Sequence, residues 1–234
     1  MPDTFWLDEY RQKAALADPV AQSGRGHRFE AVEFLHVVRQ MLGLLDLRPH
    51  HTLADVGCAC GLLTIPLSAC CRHIIAVEPV DELRALLQTN TAAFDNVEVL
   101  AGHAAALPLD AHTCDRVLML EVVQLIAPSE LPAVCAELRR VARPRGRIVI
   151  ASVPDAEMRD AFLGPYLVGV EAATHLSPDE KRRIVARNQA AHWHSRDEFR
   201  SIWSAFGGRC EFRSLPKSDP HAGHRFHLVV TLAE

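Results

Sequence analysis

Short apolar runs alternate with amphipathic stretches through the middle of the chain. The apolar runs are rich in Val, Ile and Leu, and they predict strands at residues 52–56, 73–77, 97–101, 116–120 and 147–152. The stretches between them predict helices at residues 62–71, 80–91 and 130–142. Strands that are apolar on both faces are typical of a sheet buried between helices. The alternation therefore predicts an α/β fold with a doubly wound, mostly parallel sheet and right-handed crossovers.

The region before the first strand has the pattern of a helix. Residues 29–47 carry apolar side chains three or four positions apart, which predicts one buried face. That face would contain Phe29, Val32, Leu35, Val38, Leu42 and Leu45. We therefore divide the chain into an N-terminal helical cap, residues 1–48, and one α/β domain, residues 49–234.

The region around and beyond the fifth strand departs from this alternation. Pro144-Arg145-Gly146 predicts a turn just before that strand. Residues 154–195 are polar with helical patches, and a connection of this length predicts an insertion on the substrate side. A last helix over 195–206 precedes two further strands, at 209–215 and 225–232. These two strands predict a C-terminal antiparallel hairpin, which completes a sheet of seven strands.

Composition narrows the class of protein. The 234 residues are 49% hydrophobic, which is enough for one good-sized core. Lys and Arg number 25 against 29 Asp and Glu, without a basic stripe, so a nucleic-acid partner is not expected. The first fifteen residues lack an apolar run, and no stretch is long enough to cross a membrane. We therefore expect a cytoplasmic protein whose seven cysteines are reduced thiols.

The segment TLADVGCACGLLTIPLS joins the first strand to a helix through Gly57 and Gly61. In a doubly wound sheet, such a turn is where a nucleotide-like ligand lies. Glu78 ends the next strand, at the spacing from which an acid reaches ribose hydroxyls. The loop lacks the G-x-G-x-x-G pattern, because Ala59 takes the middle position, and this disfavours a dinucleotide. S-adenosylmethionine has no phosphate and tolerates a plainer turn.

Metal binding is a competing interpretation of the cysteines and histidines. Cys58 and Cys60 are too close in sequence for a structural zinc site. His224 and His227 would point to opposite faces of a strand, so that together with His221 they could share one metal only at a bend. We therefore predict no metal site.

Five segments resemble, in order, the motifs of the class I S-adenosylmethionine-dependent methyltransferases. They are LADVGCACG, IIAVEP, VLAGHAAALPLD, CDRVLMLEVVQLI and ELRRVARPRGRIVIAS, within residues 50–153. The likeness is to small-molecule or glycan-pathway members, of the methyltransferase-11/25 type. It implies a Rossmann-like sheet, S-adenosyl-L-methionine as the cofactor and transferase activity.

The resemblance also implies which residues bind the cofactor. Those near the methionyl part would be Asp55, the backbone of Gly57, Cys58, Ala59 and Gly61, and the pair Glu121 and Val122. Those near the adenosine would be Glu78 at the ribose, Pro79 and Val80 at the adenine face, and His103 and Ala104 at the adenine edge. Two of these positions depart from the family pattern. Ala59 replaces a glycine, which a negative φ would tolerate, and His103 replaces an Asp that accepts from the adenine amino group. We expect His103 to accept that one hydrogen bond instead.

Catalysis and acceptor binding are assigned to residues near the mouth of this site. The sulfonium supplies the electrophile, so the protein mainly positions the reactants. A hydroxyl nucleophile would need a general base, for which we rank His194 first, beside His27 and His175. The acceptor would contact Gln124, Leu125 and Trp193, together with Trp6 and Tyr10 if these form a lid rather than ordinary cap packing.

The leading functional hypothesis is methyl transfer to a small-molecule hydroxyl. The ending HRFHLVV resembles family members of polysaccharide or sugar-nucleotide pathways, which indicates a sugar or glycan precursor. Two other hypotheses stay open: an RNA or protein methyltransferase, and a non-catalytic cofactor-binding or interaction module. A membrane partner is not expected, and a homodimer remains open.

Overall fold

A computed structural model describes residues 4–22 and 31–233. Its strands are β1 Thr52–Val56, β2 His73–Glu78, β3 Val97–Ala101, β4 Cys114–Leu120, β5 Ala142–Pro154, β6 Gly208–Ser214 and β7 Arg225–Leu232. Its helices are α1 Thr4–Ala14, α2 Pro19–Gln22, α3 Ala31–Leu45, α4 Thr64–Ser68, α5 Asp81–Thr91, α6 Leu131–Val141, α7 Arg159–Ala172, α8 Pro178–Ala190 and α9 Arg196–Ala205. Short 3₁₀ turns lie at Val123–Leu125 and Ala156–Met158.

The strands form one seven-stranded sheet in the order β3-β2-β1-β4-β5-β7-β6. The pairs from β3 to β5 are parallel, whereas β7 pairs antiparallel with both β5 and β6. The predicted fold class is therefore confirmed. The strand order reverses between β1 and β4, and the carboxyl ends of these strands border the crevice where such sheets bind ligands.

The sheet is buried between helices on its two faces. On one face, α3 packs Met41 and Leu45 against Leu118 of β4 in a single apolar cluster. On the other face, α9 places Phe199 and Trp203 in a second cluster, which also includes residues of α6. The two layers fix the sheet, and with it the position of the loops at its carboxyl edge.

The buried face of α3 differs from the prediction. Its buried residues are Val37, Met41 and Leu45, which recur every four positions. Val32 and Leu35 are 62% and 63% exposed, so placing them in the core was wrong. At about 100° of rotation per residue they lie about 180° and 120° from Met41 around the helix axis. Apolar residues three or four positions apart in this helix fit more than one buried face. Packing against the sheet determines which face is buried.

The predicted turn at Pro144-Arg145-Gly146 lies inside β5. Residue Arg116 of β4 pairs with Arg147, while Cys114 pairs with Ala142, so three extra residues of β5 bulge out between these pairs. Arg145 has a φ of 60° within the bulge. Pro144, Arg145 and Gly146 thus lie within the bulge, and β5 continues on both sides of it.

Residues 154–195 are mostly helical and reach the N-terminal helix. Helix α8 begins at a capping box formed by Ser177 and Glu180. Arg187 of α8 pairs with Glu9 of α1 at 3.4 Å between Nε and Oε1, and Arg183 contacts Gln12. The cap and the insertion are therefore joined by polar contacts. None of the helices in the described part of the chain is long and apolar enough to cross a membrane.

Candidate functional site

The loop after β1 brings its backbone close to β2 and to the residues that follow β4. The Gly57 N–H donates to the Val77 carbonyl at 2.8 Å, and Gly57 has a φ of 74°. A Cβ at this position would lie 2.4 Å from Cγ2 of Val122. Gly61 has a φ of 88°, and a Cβ there would lie 2.5 Å from Cδ1 of Leu87. The backbone angle therefore favours glycine at both positions, and at position 57 the short distance to the β-branched Val122 adds a steric reason.

Ala59 adopts a left-handed conformation, contrary to the expectation of a negative φ. Its φ is 50°, in the region that glycine favours and that costs other residues about 1–2 kcal/mol. The Ala59 N–H donates to Oε2 of Glu78 at 2.9 Å, and the Ala59 side chain is buried with Val80 and Leu83. The glycine common at this position in the family would thus fit without strain.

Substitution of Ala59 is expected to show this strain. Ala59→Val should lower the free energy of unfolding by about 2 kcal/mol or more, since a β-branched residue is disfavoured at positive φ and the site is packed. Ala59→Gly should stay within about 1 kcal/mol of the parent, because relief of strain offsets the lost methyl burial. Urea denaturation measures both. Ala92→Val, at an exposed residue with a φ of −57°, is the control. Equal stability of Ala59→Val and the parent would contradict a left-handed Ala59.

The Glu78 carboxylate is held at the end of β2 by two backbone groups. Oε2 accepts from the Ala59 N–H at 2.9 Å, and Oε1 accepts from the Val80 N–H at 3.0 Å. The side chain is buried, and this desolvation raises the pKa of Glu78 to about 7. Each oxygen retains a lone pair, so the carboxylate can accept two further hydrogen bonds from a ligand.

Asp55 is a second buried carboxylate, near the end of β1. Its Oδ2 accepts from the Thr64 hydroxyl at 2.7 Å, and burial raises the pKa of Asp55 to about 6. The hydroxyl orients one oxygen and leaves the other for a cationic group.

Two cavities meet at the glycine loop, and both are lined by Gly57, Ala59, Leu120 and Glu121. The first cavity is further lined by Glu78, Pro79, Val80, His103, Ala104, Val122, Leu125, Ile126 and Glu130. The second cavity is further lined by Phe34, Val37, Asp55, Cys58, Leu62 and Leu63. Except for Gly61, every predicted cofactor-binding residue lines one of them. Glu121 has a φ of 58°, an uncommon backbone angle that often marks functional sites.

Helix α1 forms one wall of the first cavity. Trp6, Leu7 and Tyr10 line it, and Trp6 is 6% exposed. Leu7 and Tyr10 also pack on the apolar cluster of Val80 and Leu83. Helix α1 therefore both lines the cavity and packs on the core. Burial raises the pKa of Tyr10, which keeps its hydroxyl neutral at physiological pH.

His194 does not have the place of a general base. It is fully buried, its Nε2 contacts the Val123 carbonyl at 3.1 Å, and its Nδ1 contacts Glu198 Oε2 at 3.3 Å. Both ring nitrogens are therefore engaged within the protein, and the proposed role of His194 is wrong. His175 is exposed and lines neither cavity. His27 lies outside the described residues.

Trp193 and Gln124, predicted to bind the acceptor, line neither cavity. Trp193 packs beside the Phe162 ring, at 5.9 Å between centroids, and beside the His224 ring at 6.5 Å. The main-chain carbonyl of Gln124 accepts from the main-chain N–H of His192 at 2.8 Å. Trp193 therefore packs within the insertion and beside the residue that precedes β7, and the main chain of Gln124 joins the 3₁₀ turn after β4 to the insertion. The described residues hold no group of three or more His, Cys, Asp or Glu arranged to bind a metal ion.

Comparison with known proteins agrees with this geometry. Residues 54–150 match the model of a methyltransferase domain family. These residues include the glycine loop, Glu78 and β4, and the match supports a class I S-adenosylmethionine-dependent methyltransferase. Nocamycin O-methyltransferase from Saccharothrix syringae is 32% identical over 145 residues, which are 59% of this chain and 51% of that protein. Protein-L-isoaspartate O-methyltransferase from Rhodopseudomonas palustris is 31% identical over 97 residues, 41% of this chain and 45% of that protein.

The methyltransferase fold also extends beyond the matched region. The structure of magnesium protoporphyrin IX methyltransferase from Synechocystis, with bound S-adenosylhomocysteine, superposes with a TM-score of 0.64 at 18% identity. The superposition covers 99% of this chain and 96% of that one. By contrast, this chain spans about half the length of the two relatives compared by sequence.

Several residues of the methyltransferase cavities were not predicted. Leu7 and Ile126 are apolar residues that the pattern could not separate from core positions, and Glu130 precedes a helix without any motif. Only the fold brings Glu130 of the α6 start to the same cavity as His103, which follows β3.

Proposed function

We propose that this chain binds S-adenosylmethionine across the two cavities and transfers its methyl group to a small-molecule acceptor, through a hydroxyl. The observation that carries the proposal is the Glu78 carboxylate. One backbone N–H donates to each of its oxygens, and each oxygen keeps a lone pair for a ligand. Glycine is required at position 57 because a Cβ would meet Val122, and this leaves backbone exposed beside that carboxylate.

The charges along the cavities support a cationic ligand. Asp55, Glu78, Glu121 and Glu130 contribute carboxylates, and no Lys or Arg occurs among the described lining residues. A sulfonium and an α-ammonium group would both be stabilised there. We assign Glu78 to the two ribose hydroxyls and Asp55 to the ammonium group. The bound cofactor supplies an electrophilic methyl group, and the chain's task is to align an acceptor with it.

The wall made by α1 supports a small acceptor over RNA or a protein. Trp6 and Tyr10 close one side of the first cavity, and α8 holds α1 through Arg187 and Glu9. A folded macromolecule needs an open surface, whereas a small molecule enters a cleft. We propose that the cap, residues 1–48, and the insertion, residues 154–195, select the acceptor. The likeness to an O-methyltransferase and the HRFHLVV ending support a hydroxyl, including that of a sugar.

Transfer of labelled methyl groups tests the proposal. The protein, incubated with methyl-labelled S-adenosylmethionine and a bacterial extract separated into small-molecule, protein and RNA fractions, should label the small-molecule fraction. Label in the protein or RNA fraction would contradict the acceptor class. Failure to bind S-adenosylhomocysteine in calorimetry would contradict the function itself.

Cofactor affinity is expected to fall as the pH falls. Glu78 has a raised pKa of about 7, so at pH 8 it is mostly ionised and at pH 6 mostly protonated. Only the ionised form accepts both ribose hydroxyls, so the Kd for S-adenosylhomocysteine should rise about tenfold from pH 8 to pH 6. Binding near pH 7 should release protons, which calorimetry in buffers of different ionisation enthalpy detects. The variant Glu78→Gln should bind weakly and lose most of this dependence.

A further inference from the structure

His103 has the wrong hydrogen-bonding character for the role that its position implies. Its Nδ1 accepts from the Ala105 N–H at 3.3 Å. In the neutral ring the proton is then on Nε2, so the nitrogen left for a ligand is a donor. The expectation that His103 accepts from the adenine amino group is therefore wrong in this structure. A donor at this position would leave that amino group without its partner.

Glu130 supplies an acceptor in the same cavity. It lines the first cavity together with Gly102, His103 and Ala104. It occupies the N-cap position of α6, yet its side chain makes no capping hydrogen bond. Among the described residues we find no hydrogen-bond or ion-pair partner for its carboxylate. The helix therefore does not require this side chain, and both oxygens remain for a ligand.

We propose that Glu130 accepts the hydrogen bond of the adenine amino group, while His103 Nε2–H donates to a ring nitrogen beside it. This inference rests on the proposed function, because it concerns the adenine end of the same cofactor. The edge of adenine carries an amino group, which donates, next to ring nitrogens, which accept. The Glu130 carboxylate matches the amino group, and the His103 Nε2–H matches a ring nitrogen. The carboxylate that the family places after β3 is thus supplied from the start of α6.

The pairing gives the site a preference that can be measured. A 6-oxo purine presents a carbonyl oxygen where adenine has its amino group and an N–H where adenine has N1. The carbonyl would face the Glu130 carboxylate, and the N–H would face the His103 donor. A site that hydrogen-bonds a polar group of its ligand binds an analogue weakly when a donor of the ligand is replaced by an acceptor, or an acceptor by a donor. The buried partners in the site are then left unpaired.

Calorimetry with S-adenosylhomocysteine and S-inosylhomocysteine tests the assignment. The parent protein should prefer the adenine compound by about 10- to 100-fold. Glu130→Ala should weaken S-adenosylhomocysteine binding by about tenfold or more and leave S-inosylhomocysteine nearly unchanged, so the preference narrows. Glu157→Ala, at an exposed glutamate near the start of α7, should change neither.

A rescue variant separates a recognition role from a structural one. His103→Asp in the Glu130→Ala background should restore the adenine preference, because it returns a carboxylate to the position common in the family. Unchanged adenine preference in Glu130→Ala, or an equal loss for both compounds, would overturn the inference while the proposed function stands. Failure of the parent protein to bind S-adenosylhomocysteine would instead overturn the proposed function.

Discussion

Glu78→Ala is expected to weaken S-adenosylhomocysteine binding by about a hundredfold or more. A hydrogen bond to a charged group contributes about 1.5–3 kcal/mol, and the carboxylate is assigned to two ribose hydroxyls. The substitution also removes the acceptor of the Ala59 N–H, at 2.9 Å, and that of the Val80 N–H, at 3.0 Å. The loop that frames both cavities would lose one of its links to β2, while the bond from the Gly57 N–H to the Val77 carbonyl would remain. Isothermal titration calorimetry at pH 8 measures the change.

The matched control for this variant is Glu98→Ala. Glu98 lies on the edge strand β3, where its exposed carboxylate is 3.7 Å from His73 Nε2. Its removal should change the Kd by less than about twofold, because exposed ion pairs contribute little. Binding by Glu78→Ala within threefold of the parent would show that the ribose lies elsewhere.

Gly57→Ala is expected to lower the free energy of unfolding by about 2–4 kcal/mol. A residue with a Cβ is strained at a φ of 74°, which costs about 1 kcal/mol. The new Cβ would also lie 2.4 Å from Cγ2 of Val122, and overpacking of this kind costs about 1–3 kcal/mol. Urea denaturation measures the sum, and binding should also weaken because Gly57 lines both cavities.

Two further variants separate the causes. Val122→Ala in the Gly57→Ala background should recover the steric part and leave the backbone strain, which a double-mutant cycle resolves. Gly43→Ala, in helix α3, has no atom within 4 Å of its added Cβ and should raise stability by about 0.5–1 kcal/mol. Parent-like stability of Gly57→Ala would contradict the tight packing of this loop.

The strands were predictable where local pattern and burial agree. Strands β1 and β3 have the bounds expected from sequence, and β1 is buried along its whole length although it contains the polar residues Thr52 and Asp55. The buried face of α3 was not predictable, because Val32 and Met41 both fit an apolar spacing. Only contact with β4 decides which side of that helix faces the core.

The candidate site was predictable where the chain enters and leaves the parallel strands. Asp55 and Glu78 lie at strand ends that the topology brings to one crevice, so short motifs suffice to locate them. His194 and Trp193 lie beyond this regular region, where sequence does not show which side chains turn inward. The φ of Ala59 and the proton position of His103 depend on backbone contacts that no residue type reveals.

We expect the ion pair between Glu9 and Arg187 to affect the kinetics of turnover. Helix α1 covers the first cavity, and α8 belongs to the insertion assigned to acceptor selection, so displacing one disturbs the other. A bound acceptor that contacts α8 would keep α8 and α1 in place over the cavity. We therefore expect S-adenosylhomocysteine to dissociate slowly while the acceptor is bound. Turnover would then follow an ordered sequence, in which the cofactor enters first and leaves last.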